Sequence, residues 1–132
     1  MQLGVYTFSF RSGGVVIEKD GQVLYFNHRP IHVTVKNEAA MLVFRDGAYE
    51  SVREDDEETQ AEGRFVTDNG SVLAFSDRYK KEGQVMKIAR KVTVEKADPR
   101  DLGFHQDLLL SGQVLRADRF RVFLTGTVVP RK

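Results

Sequence analysis

Val72-Leu73-Ala74-Phe75-Ser76-Asp77-Arg78-Tyr79, then Lys80-Lys81-Glu82-Gly83, then Met86-Lys87-Ile88-Ala89-Arg90-Lys91-Val92-Thr93-Val94-Glu95 decides the fold class. Successive side chains of a strand point to opposite faces, so a two-residue period marks a strand with one buried side. In the second run Met86, Ile88, Val92 and Val94 share one face, while Lys87, Lys91, Thr93 and Glu95 share the other. In the first run Leu73, Phe75 and Tyr79 lie at one parity. Each apolar row also holds one charge, Asp77 in the first and Arg90 in the second. A charge on a buried face needs a partner. With a loop centred on Glu82-Gly83, these two become diagonal cross-strand neighbours. The pattern predicts an Asp77–Arg90 salt bridge inside or at the rim of the fold, a structural pair that fixes register.

The same period continues in both directions. Leu3 to Phe10 alternates until Ser12-Gly13-Gly14 breaks it. Val15 to Lys19 and Gln22 to Asn27 flank Asp20-Gly21, a strong short hairpin signal. Proline cannot donate to a ladder, so Arg29-Pro30 ends that strand. Ile31, Val33 and Val35 then alternate with His32, Thr34 and Lys36, and Ala40 to Phe44 is a further short strand. Glu50 to Glu62 carries seven acidic residues and one basic one, and is expected to form an exposed loop or an edge. Arg64 to Thr67 and Val72 to Tyr79 flank Asp68-Asn69-Gly70, a second hairpin. Phe104 to Leu110 and Arg119 to Val129 supply the last strands. About ten short strands joined by tight turns leave no room for crossover helices. The expected fold is all-β, an antiparallel β-sandwich, with residues 1–132 forming a single domain.

The chain's 132 residues suffice for one domain with a real core. With no cysteine, disulfides and thiolate metal sites are excluded. The first residues show no basic stretch followed by an apolar one, and no run reaches transmembrane length. The default expectation is a soluble cytoplasmic protein with no membrane partner, secretion staying open. A net charge of +1 points to no polyanion partner. Arg78 to Arg100 does hold eight basic residues against three acidic ones. No aromatic interleaves Lys87 and Lys91 as a stacking platform, so nucleic acid is not an expected partner.

Catalytic signatures are missing. There is no Gly-x-Ser-x-Gly elbow and no phosphate-cradling glycine motif. His28 and His32 stand four apart, but Pro30 intervenes, and four residues of strand span about 13 Å, too far for one ion. Glu54-Asp55-Asp56-Glu57-Glu58 lacks the mid-loop glycine of an EF-hand and reads as a solvated segment that deters edge pairing. The expectation is therefore no catalytic residue, no metal site and no cofactor; His28 or His105 beside convergent carboxylates in a deep pocket would reverse it.

Phe75-Ser76-Asp77-Arg78-Tyr79, Gly83, Met86-x-Ile88, Arg90, Val92-x-Val94 and Gly103-Phe104 together resemble a known pattern. It is that of the N-terminal β-sandwich domain (supersandwich, galactose-mutarotase-like) preceding the helical barrel of six-hairpin glycosidases. The resemblance covers about thirty residues, from Phe75 to Phe104; the earlier hairpins and the closing Phe123 to Pro130 match only loosely. It implies a non-catalytic accessory module of a glycoside hydrolase-like enzyme that packs on a helical catalytic domain, with Asp77 and Arg90 as scaffold. Such domains are longer and are followed by the barrel with the catalytic acids, so the chain is either an excised domain or a sandwich used alone. The first reading predicts an exposed apolar sheet face or edge where the barrel would sit. The alternatives are a free-standing carbohydrate-binding module, with Tyr25, Tyr49 and Tyr79 as the sugar-contacting aromatics, and a structural protein with a homo-oligomer partner.

Overall fold

A computed structural model of the chain describes residues 1–106 and, as backbone, 107 and 122–130. Twelve strands account for the regular structure among them: β1 Gln2–Leu3, β2 Tyr6–Arg11, β3 Gly14–Lys19, β4 Gln22–Asn27, β5 Ile31–Lys36, β6 Leu42–Gly47, β7 Ser51–Glu54, β8 Glu58–Val66, β9 Val72–Glu82, β10 Val85–Lys96, β11 Gly103–Asp107 and β12 Val122–Pro130. They form three sheets, ordered β1-β2-β3-β4, β12-β10-β9-β8-β7 and β11-β5-β6. The fold is all-β and sandwich-like, as the alternation predicts.

Turn chemistry explains the hairpins. Ser12-Gly13 joins β2 to β3 and Asp20-Gly21 joins β3 to β4, each with both residues at positive φ, 51° and 75° in the first and 53° and 75° in the second. That is the two-residue geometry whose twist matches the flanking strands. The β9–β10 hairpin turns at Gly83-Gln84, with Gly83 at φ 62°. Both strands thus run further into the turn than Lys80-Lys81-Glu82-Gly83 suggests. The acidic stretch is itself a hairpin, β7 with β8, closed where Asp55 accepts backbone N–H groups from Glu57 and Glu58 at 3.0 and 3.2 Å. β7 forms the edge of the five-stranded sheet, with acidic side chains exposed around the turn.

One pairing departs from the expected antiparallel order. β12 lies parallel to β10, from Met86↔Val122 to Val94↔Pro130. Parallel neighbours cannot be joined by a tight turn. Here the chain leaves β10, lays β11 into the three-stranded sheet and only then returns. The tight-turn argument holds for sequential hairpins and fails for this one long connection. Residues 108–110 and 119–121, expected to belong to the last strands, lie outside the described residues.

The core forms where the inner row of the five-stranded sheet meets the other two sheets. Ala61, Phe65, Leu73, Phe75, Tyr79, Met86, Ile88 and Val92 join Leu3, Tyr6, Phe8, Val15 and Ile17 from the first sheet and Ile31, Val33 and Val35 from the third in one cluster. These side chains sit at alternate positions, so burying one row of each strand removes most of the large apolar side chains from water at about 25 cal/mol per Å².

Candidate functional site

Tyr79 and Asp77 sit two apart on the inner face of β9, and Arg90 sits on the inner face of β10 directly opposite Asp77. The two charges are register partners rather than diagonal neighbours, because the turn centres one residue later than Glu82-Gly83. Arg90 donates to both carboxylate oxygens, Nε to Oδ1 at 2.7 Å and Nη2 to Oδ2 at 2.7 Å. This fork-to-fork geometry is the strongest arrangement an arginine makes with a carboxylate. The side chains of Arg90 and Asp77 are 3% and 0% exposed.

The remaining donors of Arg90 tie in the three-stranded sheet. Nη1 donates to Gln106 Oε1 of β11 at 3.0 Å, and Nη2 donates to the carbonyl of Pro30, just before β5, at 3.3 Å. The guanidinium carbon also lies 5.2 Å from the centre of the Phe75 ring. Tyr49, in the β6–β7 link, donates its hydroxyl to Asp77 Oδ2 and meets the Tyr79 hydroxyl at 2.6 Å. Phe10 of β2 packs edge-on to Tyr79, with ring centres 4.9 Å apart. All three sheets therefore converge on this one polar centre. Burial opposes the charge on Arg90, but the hydrogen bonds and charge of Asp77 overcome it and raise the guanidinium pKa further. Burial, with the nearby Asp77 charge, pushes both tyrosine hydroxyls well above their ordinary value. The centre is a locked network of buried side chains that holds the register of β9 and β10.

This geometry corrects the assignment of Tyr49 and Tyr79 to sugar contact. Tyr49 is 5% exposed and Tyr79 1%, so neither offers a ring face to a ligand. Tyr25 on β4 is half-buried and packs against the core. Selecting them by residue type ignored which parity of each strand faces inward. Their roles follow from their hydroxyls, which let Tyr49 and Tyr79 carry bulk into the core while satisfying Asp77.

The histidines are dispersed. His28 lies beside the Phe26 ring at 5.5 Å, and His32 Nε2 lies 3.4 Å from Asn27 Nδ2. His105 borders a mostly apolar hollow with Val33, Leu73, Val92, Val94, Phe104 and Gln106. No group of three or more histidines or carboxylates among the described residues could hold a metal ion. No helix among them is long and apolar enough to cross a membrane.

A surface feature stands out at the start of β6, an edge strand of the three-stranded sheet among the described residues. Met41, Leu42 and Phe44 are 61%, 60% and 70% exposed. Leu42 and Phe44 are opposite Lys36 and Thr34 of β5, on the sheet face away from the core row of Val33 and Val35. The neighbouring charges are already paired within the chain: Arg45 with Asp68 at 2.8 Å, and Asp46 with Arg29. Sequence reasoning missed this surface because apolar residues occupy both parities of Met41-Leu42-Val43-Phe44, so the alternation there names no inner side. It also missed a polar latch in which the Asp101 carboxylate accepts hydrogen bonds from Thr67, Ser71 and Asn69, tying the β8–β9 loop to the β10–β11 loop. No family model, no curated protein and no solved structure matches the chain.

Proposed function

We propose that the chain is a non-catalytic β-sandwich module that docks on a helical domain, as the resemblance to accessory domains of glycoside-active enzymes implies. The observation that carries this is the exposed apolar pair Leu42 and Phe44 on an edge strand, with Met41 exposed just before it. Edge strands of free-standing domains are ordinarily blunted by charge. On β6 the two charges, Arg45 and Asp46, are instead neutralised by Asp68 and Arg29. A partner covering this strand need bring no charge of its own, which suits the apolar stripe of an amphipathic helix. The rigid ion-pair centre behind it supports a scaffold role, since it fixes the three-stranded sheet through Pro30 and Gln106.

Hydroxyl-radical footprinting tests the proposal by comparing this chain alone with the complete polypeptide its gene encodes. The expected result is strong labelling of Met41 and Phe44 in the isolated chain and several-fold weaker labelling in the complete polypeptide. Equal labelling in both overturns the proposal. So does a concentration-dependent dimer of the isolated chain that protects the same residues, because the surface then serves a second copy.

A further inference from the structure

The β8–β9 loop carries Asn69-Gly70, a dipeptide whose chemistry goes beyond forming a turn. Glycine has no Cβ to shield its backbone nitrogen, so that nitrogen can attack the side-chain carbonyl of the preceding asparagine. A bond forms between Gly70 N and Asn69 Cγ, and the Cγ–Nδ2 bond breaks. Nδ2 departs as ammonia, taking up the proton that the Gly70 nitrogen loses. Water then opens the five-membered imide at either carbonyl, leaving aspartate or isoaspartate in place of asparagine. No redox partner is needed.

The fold singles out this asparagine. Asn27 and Asn37 are followed by His28 and Glu38, whose side chains crowd the attacking nitrogen. Their Oδ1 atoms also accept backbone N–H groups, from Arg29 for Asn27 and from Ala39 and Met41 for Asn37. Gly70 lies at φ +93°, and an added Cβ there would meet nothing within 4 Å. A hollow of about 90 Å³ borders Asn69 on the side of Glu38 and Asp101, with room for the water that hydrolysis consumes.

The same structure restrains the reaction and magnifies its result. The Gly70 N–H donates to the Thr67 carbonyl at 2.9 Å and must leave it before attack. Asn69 Nδ2 donates to Glu38 Oε2 and to Asp101 Oδ1, each at 3.0 Å, which holds the amide in place. An aspartate there has no proton to donate and meets two carboxylates of its own sign. The nearby cations Arg45 and Arg100 are already paired with Asp68 and Asp98. We infer that Asn69 is a site of spontaneous deamidation, and that the carboxylate it leaves severs the β8–β9 loop from Glu38 and Asp101. The latch around Asp101 thus slows the reaction while it stays closed and is opened irreversibly once the reaction occurs.

The test incubates the intact chain at mildly alkaline pH, folded and in urea, and follows each asparagine by peptide-mapping mass spectrometry. The expected result is conversion at Asn69 ahead of Asn27 and Asn37, several-fold slower in the folded chain than in urea. Asp101→Ala, which removes one restraint, should speed conversion of the folded chain several-fold. Asn69→Asp, which supplies the product directly, should lower the urea midpoint by about 0.5 M, the scale of losing two exposed hydrogen bonds. Three outcomes overturn the inference: a folded chain that stays unconverted while the chain in urea converts fully, conversion led by Asn27 or Asn37, or an unchanged midpoint for Asn69→Asp. An unchanged rate in Asp101→Ala overturns the restraint by the latch. None of these measurements involves β6, so they fail independently of the docking surface.

Discussion

Asp77→Ala removes the acceptor on which the polar centre is built. Asp77 receives two hydrogen bonds from Arg90, each at 2.7 Å, and one from the Tyr49 hydroxyl. Substitution leaves a guanidinium 3% exposed and without its counter-charge. Breaking a buried pair from one side costs about 3–5 kcal/mol. Arg90 keeps the Gln106 and Pro30 acceptors and the Phe75 ring, which holds the loss near about 4 kcal/mol. For a slope of about 2 kcal/mol per molar urea, that lowers the unfolding midpoint by about 2 M. The matched control is Asp56→Ala, in the exposed β7–β8 turn, where a change within about 0.5 kcal/mol is expected. Combining Asp77→Ala with Arg90→Met should recover part of the loss, since the uncompensated charge is gone. Urea unfolding followed by tyrosine fluorescence reads all four proteins. Equal midpoints for the Asp77 and Asp56 variants would refute the reasoning.

Other outcomes follow from the same structure. Leu42→Glu with Phe44→Glu should change the unfolding free energy from urea titration by less than about 0.5 kcal/mol while raising solubility, because both side chains are exposed; a loss above about 1.5 kcal/mol would place them in the core. Gly14→Ala should destabilise by about 2 kcal/mol or more, its Cβ colliding with the Asn27 carbonyl and the His28 backbone, while Gly103→Ala, with open space around it, should be near neutral in a thermal melt. Hydrogen bonds from the Arg100 side chain and backbone hold Asp98 at about 2, and burial of Asp101 is outweighed by hydrogen bonds from Ser71, Thr67 and Asn69 that keep it below its usual value. Depressed carboxyl pKa values contribute stability above the unfolded value of about 4, and lose it as pH falls through the folded one. Stability should therefore drop between pH about 4 and about 2, and Asp101→Asn should flatten that slope in pH-resolved urea titrations.

The buried Asp77–Arg90 pair was legible because each residue interrupts an otherwise apolar parity, a conflict that only a partner resolves. Their third and fourth partners were not. Tyr49 comes 28 residues before Asp77 and Pro30 60 residues before Arg90, and no local pattern links such distant positions. Tyr49 and Tyr79 were misplaced for a related reason: an aromatic beside a polar run looks the same in sequence whether its ring meets water or the opposing sheet.

By itself the amino-acid order determined strand character, the tight turns and the inner row of most ribbons, because φ/ψ preference and the two-residue period act within a few neighbours. Only the tertiary structure decided that three sheets share one core, that β12 joins β10 in parallel, and that Met41, Leu42 and Phe44 face water. Those choices rest on burial against elements far away in the chain, and burial is a property of the whole packed molecule rather than of any segment.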